Sequence, residues 1–132
     1  MTNEEPKDLT PQEIADLCVA IADDRGAENV VQLKVSDLSF IADYFIVATA
    51  NSQPHMKAIS ETIGRELRNK HDIRPTHVEG KAQSGWILMD YSMVVVHILT
   101  DEARDMYDLE NIWGDAPKKE SIEILKELGI IK

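Results

Sequence analysis

Two apolar runs, residues 86–91 and 93–99, meet across a single serine, Ser92. A junction this tight makes them antiparallel neighbours in a sheet, because a parallel pair needs a long crossover. Val94, Val96 and Ile98 fill one face of the second run, and Met93, Val95, His97 and Leu99 fill the other. Residues 44–50 are also apolar on both faces. That character places them at the centre of a sheet with cover on each side.

The rest of the chain supplies the cover. Thr10, Pro11 and Glu13 form a helix start, with an N-cap, a proline at the first helical position and a capping-box carboxylate. Ile14, Leu17, Cys18, Ile21 and Ala22 follow at helical spacing, and Gly26 is a stop. Residues 30–35 read as a strand with Val31, Leu33 and Val35 on one face. A second helix opens near Ser52, with Met56, Ile59, Ile63 and Leu67 as its apolar stripe, opposite Lys57, Glu61, Arg65 and Arg68. Residues 76–79 read as a short strand and 80–85 as a polar loop. Asp101 starts a helix, and a helical turn over 109–113 ends at Gly114.

Residues 118–128 read as an amphipathic helix with Ile122, Leu125 and Leu128 at spacing three. The order α-β-β-α-β-β-β-α-α predicts an α/β fold: a mixed sheet of about five strands with helices on both faces. The expected organisation is a flexible acidic tail over residues 1–9, one domain over 10–116, and a helical extension over 117–132. Pro117 turns that extension back onto the domain.

Composition narrows the function. The net charge of −10 argues against extensive direct contact with nucleic acid, and it suits a basic partner. The single cysteine, Cys18, excludes an internal disulfide and reads as a small buried hydrophobe. No apolar run approaches the roughly 20 residues of a membrane span, and the N-terminus resembles neither a secretory signal nor a transit peptide. These features fit a cytoplasmic protein.

No Gly-x-Gly-x-x-Gly, Walker loop, His-Glu-x-x-His, Gly-x-Ser-x-Gly or Cys-x-x-Cys occurs. The nearest carboxylate pair, Asp108-x-Glu110, lies at a helix start, and Asp43 and Asp90 sit at strand ends. His55, His71, His77 and His97 lack metal-ligand spacing, so neither a metal site nor a cofactor is expected. His97 reads as a buried core histidine bonded to a backbone carbonyl or a carboxylate. Both tryptophans, Trp86 and Trp113, fall within residues 86–114, together with Tyr91, Arg104 and Tyr107. The residues alone leave core and interface roles evenly open for the tryptophans. Aromatic and arginine residues near a sheet edge, without catalytic chemistry, suggest a docking surface.

Several ordered blocks resemble one family. They are Asp43-Tyr-Phe-Ile-Val-Ala-Thr, Ser52-x-x-His55-x-Lys57-Ala58-Ile59, Val78-Glu79-Gly80, Gly85-Trp86-Ile-Leu-x-Asp90-Tyr91, Val94-Val-Val-His97, Glu102-Ala-Arg104-x-x-Tyr107-x-Leu109-Glu110 and Trp113-Gly-Asp-Ala. Together they are similar to the ribosomal silencing factors, also called the Iojap-like family, over residues 14–116. The resemblance implies a nucleotidyltransferase-like fold without transferase activity. It also implies binding to the large ribosomal subunit through ribosomal protein L-fourteen, and steric blocking of small-subunit joining.

A nucleotidyltransferase would need Gly-Ser at a helix start and Asp-x-Asp on the next strand. This chain has Asn51-Ser52 and no Asp-x-Asp. The alternative, a degenerate nucleotidyltransferase-like nucleotide-binding protein, loses support accordingly. The expected partner-binding residues are Trp86, Asp90, Tyr91, Arg104, Tyr107 and Trp113, with Trp86 as anchor. Ser92-Met93 stands where the family commonly has an acidic turn, leaving Asp90 to make an acidic contact. Residues 117–132 lie beyond the usual family end, and a homodimer remains open.

Overall fold

The structure is a computed structural model that describes residues 9–39 and 42–131. The acidic tail expected over 1–9 thus falls almost wholly outside the described residues. Among those described, helix α1 (Pro11–Asp24) leads into strands β1 (Glu28–Lys34) and β2 (Tyr44–Thr49). The long helix α2 (Gln53–His71) crosses to β3 (His77–Glu79), β4 (Trp86–Asp90) and β5 (Val94–Leu99). Helices α3 (Asp101–Tyr107) and α4 (Leu109–Ile112), strand β6 (Lys118–Glu120) and helix α5 (Ser121–Glu127) complete it.

Local chemistry sets the helix ends. Thr10 Oγ1 accepts the Glu13 N–H while Glu13 accepts the Thr10 N–H, closing the expected capping box. Ser52 caps α2 by accepting the His55 N–H, and Thr100 caps α3 by accepting the Ala103 N–H. The His55 ring links two helix ends: Nδ1 accepts the Asn51 N–H, so Nε2–H donates to the Arg25 carbonyl at the end of α1.

The sheet has six strands, not five, in the order β3-β4-β5-β2-β1-β6. Only β2 and β5 pair in parallel, and the remaining neighbours are antiparallel. The sixth strand is the Lys-Lys-Glu segment expected to be helical. It pairs with β1 from Val31↔Glu120 to Leu33↔Lys118. Three charged residues carry no strand signal, and the open edge of β1 supplies the backbone partners instead. Charged residues on a short edge strand also discourage further pairing.

Because α5 begins only at Ser121, its buried face shifts. Ile124 and Leu125 are buried, whereas Ile122 and Leu128 are 51% and 43% exposed. The expected stripe of Ile122, Leu125 and Leu128 therefore holds only at Leu125. Ile124 joins the core beneath α1 and α2.

Two cores flank the sheet. On one side α1, α2 and α5 cover Tyr44, Ile46, Ala48, Ile87, Met89, Val94, Val96 and Ile98. Met56, Ile59, Ile63 and Leu67 of α2 are all fully buried there, as their spacing predicts. The α1 contribution is broader than its stripe, because Ala15 and Val19 are buried with Cys18 and Ala22. Burial pushes the Cys18 thiol up to about 12, so it stays protonated and inert. On the other side Val31, Leu33, Val35, Val47, Val95 and Leu99 meet Ala103, with Leu109 and Trp113 packed over part of them. Helices thus lie on both faces, but the second cover is thin.

Candidate functional site

Strand alternation divides β4 between the two cores. Ile87 and Met89 point under α2, while Trp86 and Leu88 point to the thinly covered side. The left-handed backbones of Gly80 and Gly85 bring the chain into β4. A side chain at Gly80 would run into the Trp86 backbone, and one at Gly85 would meet Thr100 Oγ1 at 3.2 Å. The start of β4 is therefore fixed by two positions that only glycine fills without strain.

From Trp86 an aromatic ladder runs across the sheet. The Tyr107 ring of α3 lies 4.5 Å from the Trp86 ring, centroid to centroid. His97 of β5 lies 5.7 Å from Trp86 on its other side. Phe45 of β2 meets His97 at 5.0 Å, and Trp113 meets Phe45 edge-on at 5.3 Å. Tyr107 is 44% exposed, and Trp86, Leu88 and Trp113 are half-buried. Trp86, Leu88 and Tyr107, with Glu79, Gly80 and Ser84, line a shallow cavity of about 230 Å³.

His97 holds this ladder in place. Its Nδ1 accepts the Trp86 indole N–H at 3.1 Å. An indole can only donate, so the imidazole proton lies on Nε2. Nε2 is buried and has no partner among the described residues. Burial lowers the His97 pKa to about 4, keeping the ring neutral and Nδ1 free to accept. The expectation of a buried, hydrogen-bonded histidine is met, but the partner is an indole rather than a carbonyl or carboxylate. No sequence rule pairs residues 86 and 97; the β4–β5 register does, by setting His97 opposite Leu88.

The expected site residues separate into four groups. Trp86 and Tyr107 come together, and Asp90 shares the Trp86 face four positions along the strand. Its Oδ1 accepts the Ser92 N–H at 2.8 Å, which steadies the left-handed residue in the turn. Tyr91 does not join them. It is 6% exposed, lies in the core under the helices, and its hydroxyl has no partner there. Burial, then the nearby Cys18, raises its pKa.

Arg104 is a clamp rather than a free contact. Its Nε donates to Glu110 at 2.8 Å, and Nη1 donates to the Asn29 carbonyl and to Thr49 Oγ1. Asn29 has positive φ in the bulge of β1. Trp113 caps the far end of the ladder. Leu88 lines the same cavity, and the alternation Trp86-x-Leu88-x-Asp90 places it on that face.

Among the described residues no group of three or more His, Cys, Asp or Glu side chains could hold a metal ion. No described helix is long and apolar enough to cross a membrane. What the site offers is an aromatic, partly open surface on a rigid sheet.

A family profile described as ribosomal silencing factor during starvation matches residues 8–129. The match runs past residue 116, so the C-terminal strand and helix fall within the family's extent and are not beyond it. A ribosomal silencing factor from Halalkalibacterium halodurans is 37% identical, covering 85% of this chain and 95% of that protein. One from Bacillus subtilis is 33% identical over 83% of this chain and 92% of its own length. A crystal structure of a Chromobacterium violaceum protein superposes with a TM-score of 0.76 at 30% identity, covering 80% of this chain and 88% of that one.

Proposed function

This chain belongs to the ribosomal silencing factor family, and on that premise we propose that it docks on the large ribosomal subunit through ribosomal protein L-fourteen. Its bulk then blocks joining of the small subunit and represses translation. The observation that carries this reading is the half-open ladder of Trp86 and Tyr107 beside Leu88. Tryptophan and tyrosine on a rigid support are the residue types that dominate binding energy at protein interfaces. Glu79 lines this surface, Asp90 follows on the same face of β4, and the chain carries a net charge of −10, so a basic ribosomal protein is electrostatically matched.

In this reading the docking residues are Trp86, Leu88, Asp90 and Tyr107, with Trp113 at the far end. Arg104 anchors α3, the helix that carries Tyr107, and Tyr91 does not take part. The action is non-enzymatic and takes place in the bacterial cytoplasm. A nucleotidyltransferase-like ancestry for the sheet belongs to the same reading, without transfer chemistry: α2 begins at Asn51-Ser52, and no Asp-x-Asp exists.

Steric inhibition is stoichiometric. Titrated into a joining reaction of purified subunits, the protein should saturate near one copy per large subunit, and it should comigrate with large subunits but not with joined ribosomes. Full inhibition at a small fraction of the ribosome concentration, or comigration with joined ribosomes, would sink the model.

A further inference from the structure

The reverse side of β3 and β4 carries a second surface. Val78 pairs with Met89, and both turn away from Trp86 toward the C-terminal half of α2. With Gly64 they line an open groove of about 530 Å³. Val78 is 52% exposed, so the groove is not closed by the fold. Its rim carries three arginines against one acid, Glu61, and is cationic on balance. Arg65 and Arg68 stand three apart on α2, Arg74 follows just beyond its end, and all three are exposed.

Among the described residues neither Arg65 nor Arg68 forms an ion pair, and Arg74 pairs only with the exposed Asp72. Residues 57–74 hold five of the chain's 14 lysines and arginines but three of its 24 acids. A local excess of positive charge therefore sits within a protein of net charge −10.

Like charges gathered on one rim repel, and an anion set among them relieves the repulsion. The guanidinium fork matches phosphate oxygens two at a time. The three arginines border an open groove rather than an enclosed pocket, which suits the phosphates of a nucleic-acid backbone better than a small anion. The groove and the Trp86 surface lie back to back on the same two strands, and β3 is the outer strand of the sheet. A large assembly approaching that edge meets both. On a ribosome, whose proteins are predominantly basic, the anion within reach is RNA.

We propose that the groove bounded by Arg65, Arg68 and Arg74 is a contact for the phosphate backbone of ribosomal RNA on the large subunit. The proposal rests on the large-subunit docking described above. It confines RNA contact to this one patch of an otherwise acidic molecule.

The test uses the full chain and the triple variant Arg65→Gln, Arg68→Gln, Arg74→Gln. All three side chains are exposed, so the variant should melt as the wild type does. Affinity for purified large subunits is measured across a salt series, and affinity for isolated ribosomal protein L-fourteen is measured in parallel. The expected result is roughly tenfold weaker subunit binding at low salt and a log–log salt dependence flatter by about two to three. Binding to the isolated protein should be unchanged.

An unchanged salt slope and affinity overturns the proposal. Equal losses toward subunit and isolated protein also overturn it, because the groove would then contact protein. Trp86→Ala separates the two readings: it should weaken both interactions. If Trp86→Ala leaves both intact, the docking surface is wrong, while the triple variant still decides the groove. Absence of any large-subunit binding by the wild type rejects both.

Discussion

The two faces of the sheet are built for different ends. Under α1, α2 and α5 the side chains are aliphatic and sealed: Ile46, Ile63, Leu67, Ile98 and Ile124 are 0% exposed. The opposite face carries an aromatic ladder from Trp113 to Tyr107 beside its aliphatic residues, and it stays open at the β4 end. Among the described residues each face also leaves one buried polar side-chain atom unpartnered, the Tyr91 hydroxyl on the sealed side and His97 Nε2 on the open side. The sealed face stabilises the fold and fixes the strands. The open face can then keep large rings in a set orientation without burying them, the state in which they can still bind a partner.

This contrast can be broken most forcefully at the C-terminus. Deleting residues 118–132 removes β6 from the edge of β1 and takes Ile124 from the sealed core. A loss of more than about 4 kcal/mol in urea unfolding, or failure to fold, is expected, since a buried Ile alone is worth roughly 2–5 kcal/mol. A truncated protein of wild-type stability would show that the sealed face needs neither element.

Ile63→Ala tests the same face at a single site. Stability should fall by about 3–4 kcal/mol, through lost burial plus a cavity. Large-subunit affinity, measured on protein that remains folded, should not change. A parallel drop in affinity would mean that the two faces are not separable.

On the open face, His97 makes stability pH-dependent. Its folded pKa, about 4, lies below the ordinary imidazole value of 6.5, because burial disfavours the charged ring. Between those values the unfolded chain binds the proton more readily, so the contribution is fully present above about pH 6.5. It is lost as the pH falls through 4. The difference is on the order of 3 kcal/mol. The rings around His97, Trp86 and Phe45, do not titrate. His97→Asn keeps an acceptor near the indole N–H but no titrating ring, so its stability curve should be flatter than that of the wild type across this window. Two parallel curves would remove His97 from the account.

Trp86→Ala should weaken large-subunit binding by about 2 kcal/mol or more, the scale of an interface anchor. Thermal stability should move less than for Ile63→Ala. If stability falls steeply and binding by the folded fraction persists, the open face is only a second core.

The smallest effect is expected at Tyr91→Phe. Removing a buried hydroxyl that has no partner should change stability by less than about 1 kcal/mol, in either direction. Binding should be untouched, in keeping with its place on the sealed side. A marked loss of binding would return Tyr91 to the docking surface.

Local patterning reaches far in this chain. Thr10 and Ser52 announce helix starts because a cap is satisfied within three residues. Met56, Ile59, Ile63 and Leu67 announce a buried face because a helix repeats every 3.6 residues. The alternation through Val94–Leu99 fixes which side chains share a face, and the tight turn at Ser92 fixes its partner strand. The family blocks carry the same information at the level of function.

What sequence does not reveal arises from contacts between residues far apart in the chain. Lys118–Glu120 becomes a strand only because β1 offers an unpaired edge, and the delayed start of α5 then rotates Ile124, not Ile122, into the core. Arg104 reads as a docking contact until the fold brings Asn29, Thr49 and Glu110 around it. Tyr91 is the exception: it follows Trp86 by an odd number of positions, so alternation alone sets it on the opposite face of the sheet from its expected companions. Residue type and spacing determine the elements other than β6 and the start of α5. The pairing of edges and faces is non-local, and it alone decides which polar groups are clamped, which rings stay open, and which arginines share a rim.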